Sequence, residues 1–110
     1  MSLNLVLLLA HAPTATALAS AAEFILGERL ARLCVADIAD VQSLDREASR
    51  IVAELGIGPG DQVRIYTDLE GSTPWRVANN VASRCCAPQP TCNVQLAMVL
   101  EPLEVPHICA

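Results

Sequence analysis

The sequence contains two side chains, His11 and Asp68, whose types suit nucleophilic chemistry. His11 follows the apolar run Leu5–Ala10, and Asp68 follows Gln62–Thr67, which is rich in β-branched and aromatic residues. Neutral imidazole is a nucleophile at one ring nitrogen. A carboxylate hydrogen-bonded to the other nitrogen fixes the tautomer and stabilises the cation that forms on attack. The pair therefore predicts catalysis at His11 with Asp68 as its orienting group, if the fold brings them together.

A candidate anion site lies in the turn over residues 70–74, where a helix is predicted to begin. The first N–H groups of a helix have no partner within it, and the helix dipole favours negative charge, so such a turn binds phosphate. We predict Gly71, Ser72 and Thr73 as phosphate-binding residues. Thr73 is also predicted to cap the helix, with Pro74 in its first position. A purely structural capping role for Thr73 is the alternative, and both roles are compatible.

The elements that must position these residues alternate between strands and helices. Short apolar runs predict buried strands, helical spacing of apolar residues predicts helices, and glycines stand where helices end. The predicted strands are Leu3–Leu9, Leu30–Asp37 and Gln62–Thr67, the last preceded by a turn over Gly58, Pro59, Gly60 and Asp61. The predicted helices are Thr14–Glu28, a segment from Ser43 to Gly56, a segment from Pro74 to about Arg84, and Val94–Leu100, which Pro102 ends.

This alternation predicts an α/β fold, a flavodoxin-like open parallel sheet of order 2-1-3-4 with helices on both faces. The fourth strand is expected within Cys85–Cys92, short or at an edge, because Pro88 and Pro90 cannot donate to a ladder. In such a sheet, ligands bind beyond the carboxyl ends of the strands where the strand order reverses. That point lies between strands 1 and 3, so His11 and Asp68 should converge there.

Composition narrows the class of protein. With 110 residues, 53% of them hydrophobic, the chain is long enough for one core and too short for two, so residues 1–110 are predicted to form a single domain. The net charge of −5 disfavours nucleic acid as a partner, which needs clustered Lys and Arg. The apolar run near the N-terminus has no basic residue before it, which disfavours a secretory signal, and is too short to span a bilayer.

The five cysteines fit no disulfide framework or zinc-ligand spacing, because their number is odd and Cys85 adjoins Cys86. Free thiols in a reducing cytoplasm are therefore predicted. Redox sensing by Cys85, Cys86 and Cys92 is the alternative. The residues indicate no metal site and no cofactor.

Three blocks of the sequence carry a family resemblance over most of the chain. The first is LVLLLAHA followed by AAEFILGE, the second is TDLEGSTPWR from Thr67 to Arg76, and the third is NVQLAM from Asn93 to Met98. In this order they resemble the mannose-type enzyme IIA domains of the bacterial phosphoenolpyruvate-dependent sugar phosphotransferase system. That family has an apolar strand running into Thr/Ser-His-Gly, a helix ending near Leu-Gly-Glu, a strand ending in Thr-Asp before Gly-Gly-Ser-Pro, and a Gly-Val-Asn-Leu-Pro-Met helix.

The resemblance implies a phosphotransferase that works as a phosphohistidine carrier. His11 would accept a phosphoryl group from the histidine protein HPr and pass it to a histidine of a IIB partner. Asp68 would match the aspartate that orients the family's histidine. A homodimer with a flavodoxin-like sheet is also implied, with an antiparallel strand exchanged between subunits, and membrane contact would come only through a transporter complex.

The sequence departs from the family pattern around the histidine and the turn. Ala10 and Ala12 replace Thr/Ser and Gly, Ser72 replaces the second Gly, and Arg76 stands where Asn is usual. Ala12 narrows the loop conformations that Gly permits, and Arg76 adds a cation near the expected phosphate. These departures, and the lack of a counterpart to the family's last strand and helix, leave a second hypothesis. It is a degenerate homologue that binds a protein partner without being phosphorylated.

Two other classes fit less well. A receiver-like domain phosphorylated on Asp68 needs a magnesium-binding acidic pair near strand 1, where the sequence has Ala10, His11 and Ala12. A flavin or nucleotide module needs a Gly-rich phosphate loop after strand 1, or aromatic side chains that are scarce here.

Overall fold

A computed structural model of the protein describes residues 4–27, 32–57 and 60–101. None of the helices in these ranges is both long and apolar enough to cross a membrane. The predicted boundaries at Leu3, Glu28, Leu30, Gly58, Pro59 and Pro102 lie outside the described residues, as does Cys109. The elements are β1 (Asn4–His11), α1 (Thr14–Leu26), β2 (Leu33–Ile38), α2 (Leu44–Leu55), β3 (Gln62–Tyr66) and α3 (Thr73–Cys85), followed by a short helix over residues 96–101.

β1 is the central strand of a parallel sheet with the order β2-β1-β3. All side chains from Leu5 to Ala10 are buried, as expected of a parallel strand covered by helices on both faces. In the register, Ala10 lies opposite Asp37 of β2, and Leu8 lies opposite Tyr66 of β3. The predicted α/β fold and the order of the first three strands are confirmed.

The predicted fourth strand is reduced to a single parallel bridge between Tyr66 and Thr91. The N–H of Thr91 donates to the carbonyl of Ile65 at 2.9 Å, and Thr91 accepts from the N–H of Thr67 at 2.9 Å. Proline lacks an N–H group, so Pro88 and Pro90 cannot extend this pairing. The expected order 2-1-3-4 is therefore replaced by 2-1-3 among the described residues, with a short segment alongside the end of β3.

Two apolar cores cover the two faces of the sheet. Successive side chains of a strand point to opposite faces, so Leu7 packs with α2 and α3 while Leu8 packs with α1. The buried residues of the α2–α3 side are Leu5, Leu7, Leu9, Ala36, Ile38, Ala48, Ile51, Val63, Ile65, Val77, Ala78, Val81 and Ala82. Those of the α1 side are Val6, Leu8, Ala10, Ala15, Ala19, Ala22, Tyr66 and Val99.

The ends of α2 are as predicted, whereas α1 ends at Leu26, before the predicted boundary at Glu28. The Ser43 side chain accepts a hydrogen bond from the N–H of Arg46 at 3.3 Å and so caps α2. Gly27 and Gly56 end α1 and α2 with left-handed φ values of 74° and 59°, a conformation that costs glycine little.

The start of α3 differs from the prediction by one residue. Ser72, in extended backbone conformation, is the cap, and its hydroxyl accepts from the N–H of Trp75 at 3.4 Å. Thr73 is the first residue of the helix, so its prediction as the cap is wrong. Both residue types favour the cap position, and Pro74 is compatible with either start because the first N–H groups of a helix have no partner within it.

The cysteines of the described residues are free thiols. Burial raises the pKa of Cys34, Cys85 and Cys92, and the neighbouring Cys86 raises that of Cys85 further. A raised pKa reduces the fraction of reactive thiolate at neutral pH. These thiols are therefore poorly suited to fast oxidation chemistry.

Candidate functional site

His11 and Asp68 meet at the carboxyl ends of β1 and β3, although 57 positions separate them in the chain. Nδ1 of His11 lies 2.7 Å from Oδ2 of Asp68. The backbone N–H of His11 donates to the same oxygen at 2.9 Å. The strand register explains the contact, since β1 and β3 are neighbouring parallel strands whose ends lie side by side. The predicted convergence of the two side chains is confirmed.

The carboxylate of Asp68 accepts from two N–H groups of His11 and from the backbone N–H of Leu69, the last at 2.8 Å to Oδ1. Partial burial raises the pKa of Asp68, but these hydrogen bonds and the electrostatic attraction of His11 outweigh burial, and the pKa lies below its ordinary value. Asp68 is therefore ionised at neutral pH and acts only as an acceptor.

An ionised Asp68 fixes the tautomer of His11. Since the carboxylate has no proton to donate, the hydrogen of the His11–Asp68 bond is on Nδ1, and the neutral ring keeps its lone pair on Nε2. The His11 side chain is 52% exposed, whereas that of Asp68 is 22% exposed. In this arrangement Nε2 of the exposed His11 ring can act as a nucleophile, while the carboxylate of Asp68 holds the ring through Nδ1.

The turn after Asp68 is shaped by Ser72. Its N–H and its hydroxyl both donate to the carbonyl of Leu69, at 3.2 and 2.5 Å. Gly71 has a φ of 85°, in the left-handed region where a side chain is unfavourable. Both donors of Ser72 are thus engaged inside the turn, and its contribution to the site is to hold the turn and begin α3.

Available donors lie on either side of Ser72. Within the part of the chain that the structure describes, the backbone N–H groups of Gly71 and Thr73 have no hydrogen-bond partner. The first turn of α3 carries no acidic residue. The exposed side chain of Arg76, in the first turn of α3, takes part in none of the ion pairs between described residues. This combination favours an anion at the start of α3.

The segment around Asn93 holds the backbone that leads into Asp68. The N–H of Asn93 donates to the carbonyl of Asp68 at 2.5 Å, and that of Val94 donates to Thr67 at 3.1 Å. Thr67 is fully buried, and its hydroxyl has no partner among the described residues. The backbone of Asp68 is therefore held by residues far along the chain, for which the sequence pattern predicted no role in the site.

A second aspartate at this end of the sheet, Asp37 of β2, was also missed. Its Oδ1 accepts from the backbone N–H of Thr16 at 3.1 Å, and its Oδ2 accepts from the Thr16 hydroxyl. Pro13 occupies the cap position of α1 and provides no side-chain hydrogen bond, so Asp37 takes over that role from the neighbouring strand. Asp37 could have been found from the sequence, because it is an acidic residue near the carboxyl end of a strand beside β1. The same signal identified Asp68.

The exposed side chain of His11 lies outside the cavity at the opposite end of the strands. A cavity of about 670 Å³ lies at the other end of the strands, lined by Asn4, Gln62 and Cys85 among others, and neither His11 nor Asp68 lines it. The described residues include no group of three or more His, Cys, Asp or Glu placed to hold a metal ion.

Neither a scan against models of known protein families nor a search of curated proteins found a match. Solved structures share the fold. A phosphotransferase system component EIIA from Streptococcus agalactiae has a TM-score of 0.72 at 18% identity, covering 89% of this chain and 75% of that one.

Two further structures have the same architecture. A PTS IIA protein associated with the fucose utilization operon of Streptococcus pneumoniae has a TM-score of 0.71 at 20% identity, covering 94% of this chain and 78% of that one. A mannose/sorbose-specific IIA subunit from Enterococcus faecalis has a TM-score of 0.64 at 24% identity, covering 93% and 76%. At these identities the similarity establishes the fold, which is that of phosphotransferase system IIA components.

Proposed function

We propose that this chain is a phosphohistidine carrier of the mannose-type phosphotransferase system, acting in sugar uptake or its regulation. It accepts a phosphoryl group from HPr on His11 and passes it to a histidine of a IIB partner. The contact of 2.7 Å between Nδ1 of His11 and Oδ2 of Asp68 is the observation that carries the proposal. The fold shared with IIA components supports it.

In the proposed step, the lone pair on Nε2 of His11 attacks the phosphorus of phosphorylated HPr. The N–P bond of the donor breaks, and its electron pair returns to the donor imidazole. The proton on Nδ1 stays in place, and the Asp68 carboxylate stabilises the positive charge that develops on the ring. Transfer to the IIB histidine is the same displacement with His11 as the leaving group.

The phosphate-binding part of the proposal concerns Gly71, Ser72 and Thr73. The N–H groups of Gly71 and Thr73 would donate to phosphoryl oxygens, and Ser72 would keep the turn in the shape that presents them. Arg76 adds a positive charge in the first turn of the same helix. Donors already in position lower the cost of binding a charge that develops during transfer.

The proposed partners are proteins. Leu69, whose side chain is 61% exposed next to Asp68, supports docking of a protein surface over His11. A homodimer is also proposed. The edge of β3 that faces away from β1 supports it, because among the described residues this edge pairs only through the bridge at Thr91 and so could accept a strand of a second copy. The proposed location is the cytoplasm, as the family resemblance implies.

Incubation of the full chain with phosphoenolpyruvate, enzyme I and HPr tests the proposal. Wild type should acquire an acid-labile phosphate, and His11→Ala should acquire none. His107→Ala, which removes the chain's other histidine, is the matched control and should label like wild type. Asp68→Ala should label roughly 10²-fold more slowly, because the tautomer and the developing charge lose their support.

The outcomes separate the hypotheses. Equal labelling of wild type and His11→Ala would contradict the proposal. A wild type that stays unlabelled while HPr is phosphorylated would favour the degenerate, protein-binding homologue. Phosphate on Asp68 would indicate receiver-like chemistry. That chemistry is disfavoured because both oxygens of the carboxylate already accept hydrogen bonds.

A further inference from the structure

The segment that carries His11 lies between carboxylates from both neighbouring strands. On the β3 side, Asp68 binds the ring and the backbone of His11. On the β2 side, Asp37 lies opposite Ala10 in the strand register, and Ile38 lies opposite His11. The catalytic candidate is therefore the last residue of a strand whose two neighbours each end near an aspartate.

β2 holds the chain on both sides of the turn that follows His11. Before the turn, the N–H of Ala12 donates to the carbonyl of Ile38 at 2.9 Å. After the turn, the N–H of Thr16 donates to Asp37 at 3.1 Å, and the Thr16 hydroxyl donates to the other oxygen of that carboxylate. The first turn of α1 is thus fastened to β2 by a side chain.

The hydrogen bonds from Thr16 to Asp37 form the side-chain cap of α1. Pro13, in the cap position, makes no side-chain hydrogen bond, and the first turn of α1 contains no acidic residue. Because Ala12 and Pro13 alone separate β1 from α1, a shift of the helix start is passed to His11 through a very short connection. Asp37 also places its charge where the helix dipole favours an anion.

We propose that Asp37 is a positioning residue for His11 and acts through Thr16. By fixing the start of α1 against β2, Asp37 sets the orientation in which the His11 ring, at the end of β1, contacts Asp68. Its effect on phosphoryl transfer rests on the proposed function. Its effect on the geometry of the ring does not depend on that function.

The test compares Thr16→Val, which keeps the side-chain shape and removes the hydroxyl, with Thr16→Ser, which keeps the hydroxyl. Thr14→Val is the matched control, because it makes the same change in the same helical turn outside the link to Asp37. Asp37→Asn, which removes the charge with little change of shape, is a second route to the same loss. Nitrogen NMR of the His11 ring, assigned with His107→Ala, reports which nitrogen carries the proton.

In wild type, Thr16→Ser and Thr14→Val, we expect the proton of the neutral ring on Nδ1. In Thr16→Val and Asp37→Asn, we expect a mixture of the two tautomers and labelling from HPr slowed roughly tenfold, less than the ~10²-fold that a displacement of 1 Å costs. A wild-type ring spectrum in both Thr16→Val and Asp37→Asn would overturn the proposal. The spectra need no phosphoryl donor, so an unlabelled wild type would count against the proposed function alone.

Discussion

The carboxylate of Asp68 links the position of His11 to the ionisation of the site. One oxygen accepts from the backbone and the ring of His11, and the other accepts from Leu69. The same three bonds that fix the tautomer therefore also favour the charged form of Asp68. The orientation of the His11 ring therefore depends on a carboxylate that stays ionised in the folded protein.

We expect Asp68→Asn to lower the free energy of unfolding by about 1.5–3 kcal/mol at pH 7, the range for hydrogen bonds to a charged group. The folded-state pKa of Asp68 is lowered, so its contribution is complete above the unfolded value of about 3.9 and is lost as the pH falls through the folded value. The difference between wild type and variant should therefore shrink as the pH falls below about 4.

Urea unfolding at several pH values measures that difference. Asp40→Asn removes an exposed carboxylate outside the site and controls for the change in net charge. A difference between wild type and Asp68→Asn that grows as the pH is lowered below about 4 would contradict the assignment of a lowered pKa.

At the scale of elements, α3 begins with a serine that also closes the turn after Asp68. The Ser72 hydroxyl accepts from Trp75 within the helix and donates to Leu69 outside it. One side chain thus joins the start of α3 to Leu69, the residue that follows Asp68.

We expect Ser72→Ala to cost about 1 kcal/mol of unfolding free energy, the usual effect of losing an N-cap, and more if the bond to Leu69 adds to it. Thr73→Ala should stay within about 0.5 kcal/mol, as an exposed residue of the first turn. Chemical denaturation of both variants provides the measurement. A larger loss in Thr73→Ala than in Ser72→Ala would restore Thr73 as the cap.

Sequence patterns predict local elements and the meeting of strand ends better than they predict side-chain partners. His11 and Asp68 could be placed together because parallel strand ends share one edge of the sheet. The choice of Ser72 over Thr73 could not be made, since both residue types cap helices well. The link from Asp37 to Thr16 joins a strand end to a helix 21 positions away, and no local spacing reveals it.

Across the whole molecule, β1 joins two cores that would otherwise be separate. Leu7 belongs to the core formed with α2 and α3, and Leu8 belongs to the core formed with α1. Because adjacent residues of one strand serve opposite faces, the loss of packing on either face weakens the strand that both cores share. The prediction of a single domain can be tested through this strand.

Leu7→Ala and Leu8→Ala should each lower the free energy of unfolding by about 2–5 kcal/mol, the range for removing a buried leucine side chain. Trp75 is the chain's one tryptophan and belongs to α3, so its fluorescence reports on the side where Leu7 packs. If the chain unfolds as one unit, Leu8→Ala should shift the fluorescence transition and the circular dichroism transition to the same lower urea concentration. A Leu8→Ala variant that keeps the wild-type fluorescence transition while its helical signal is lost earlier would show that the two faces unfold separately, against the single domain.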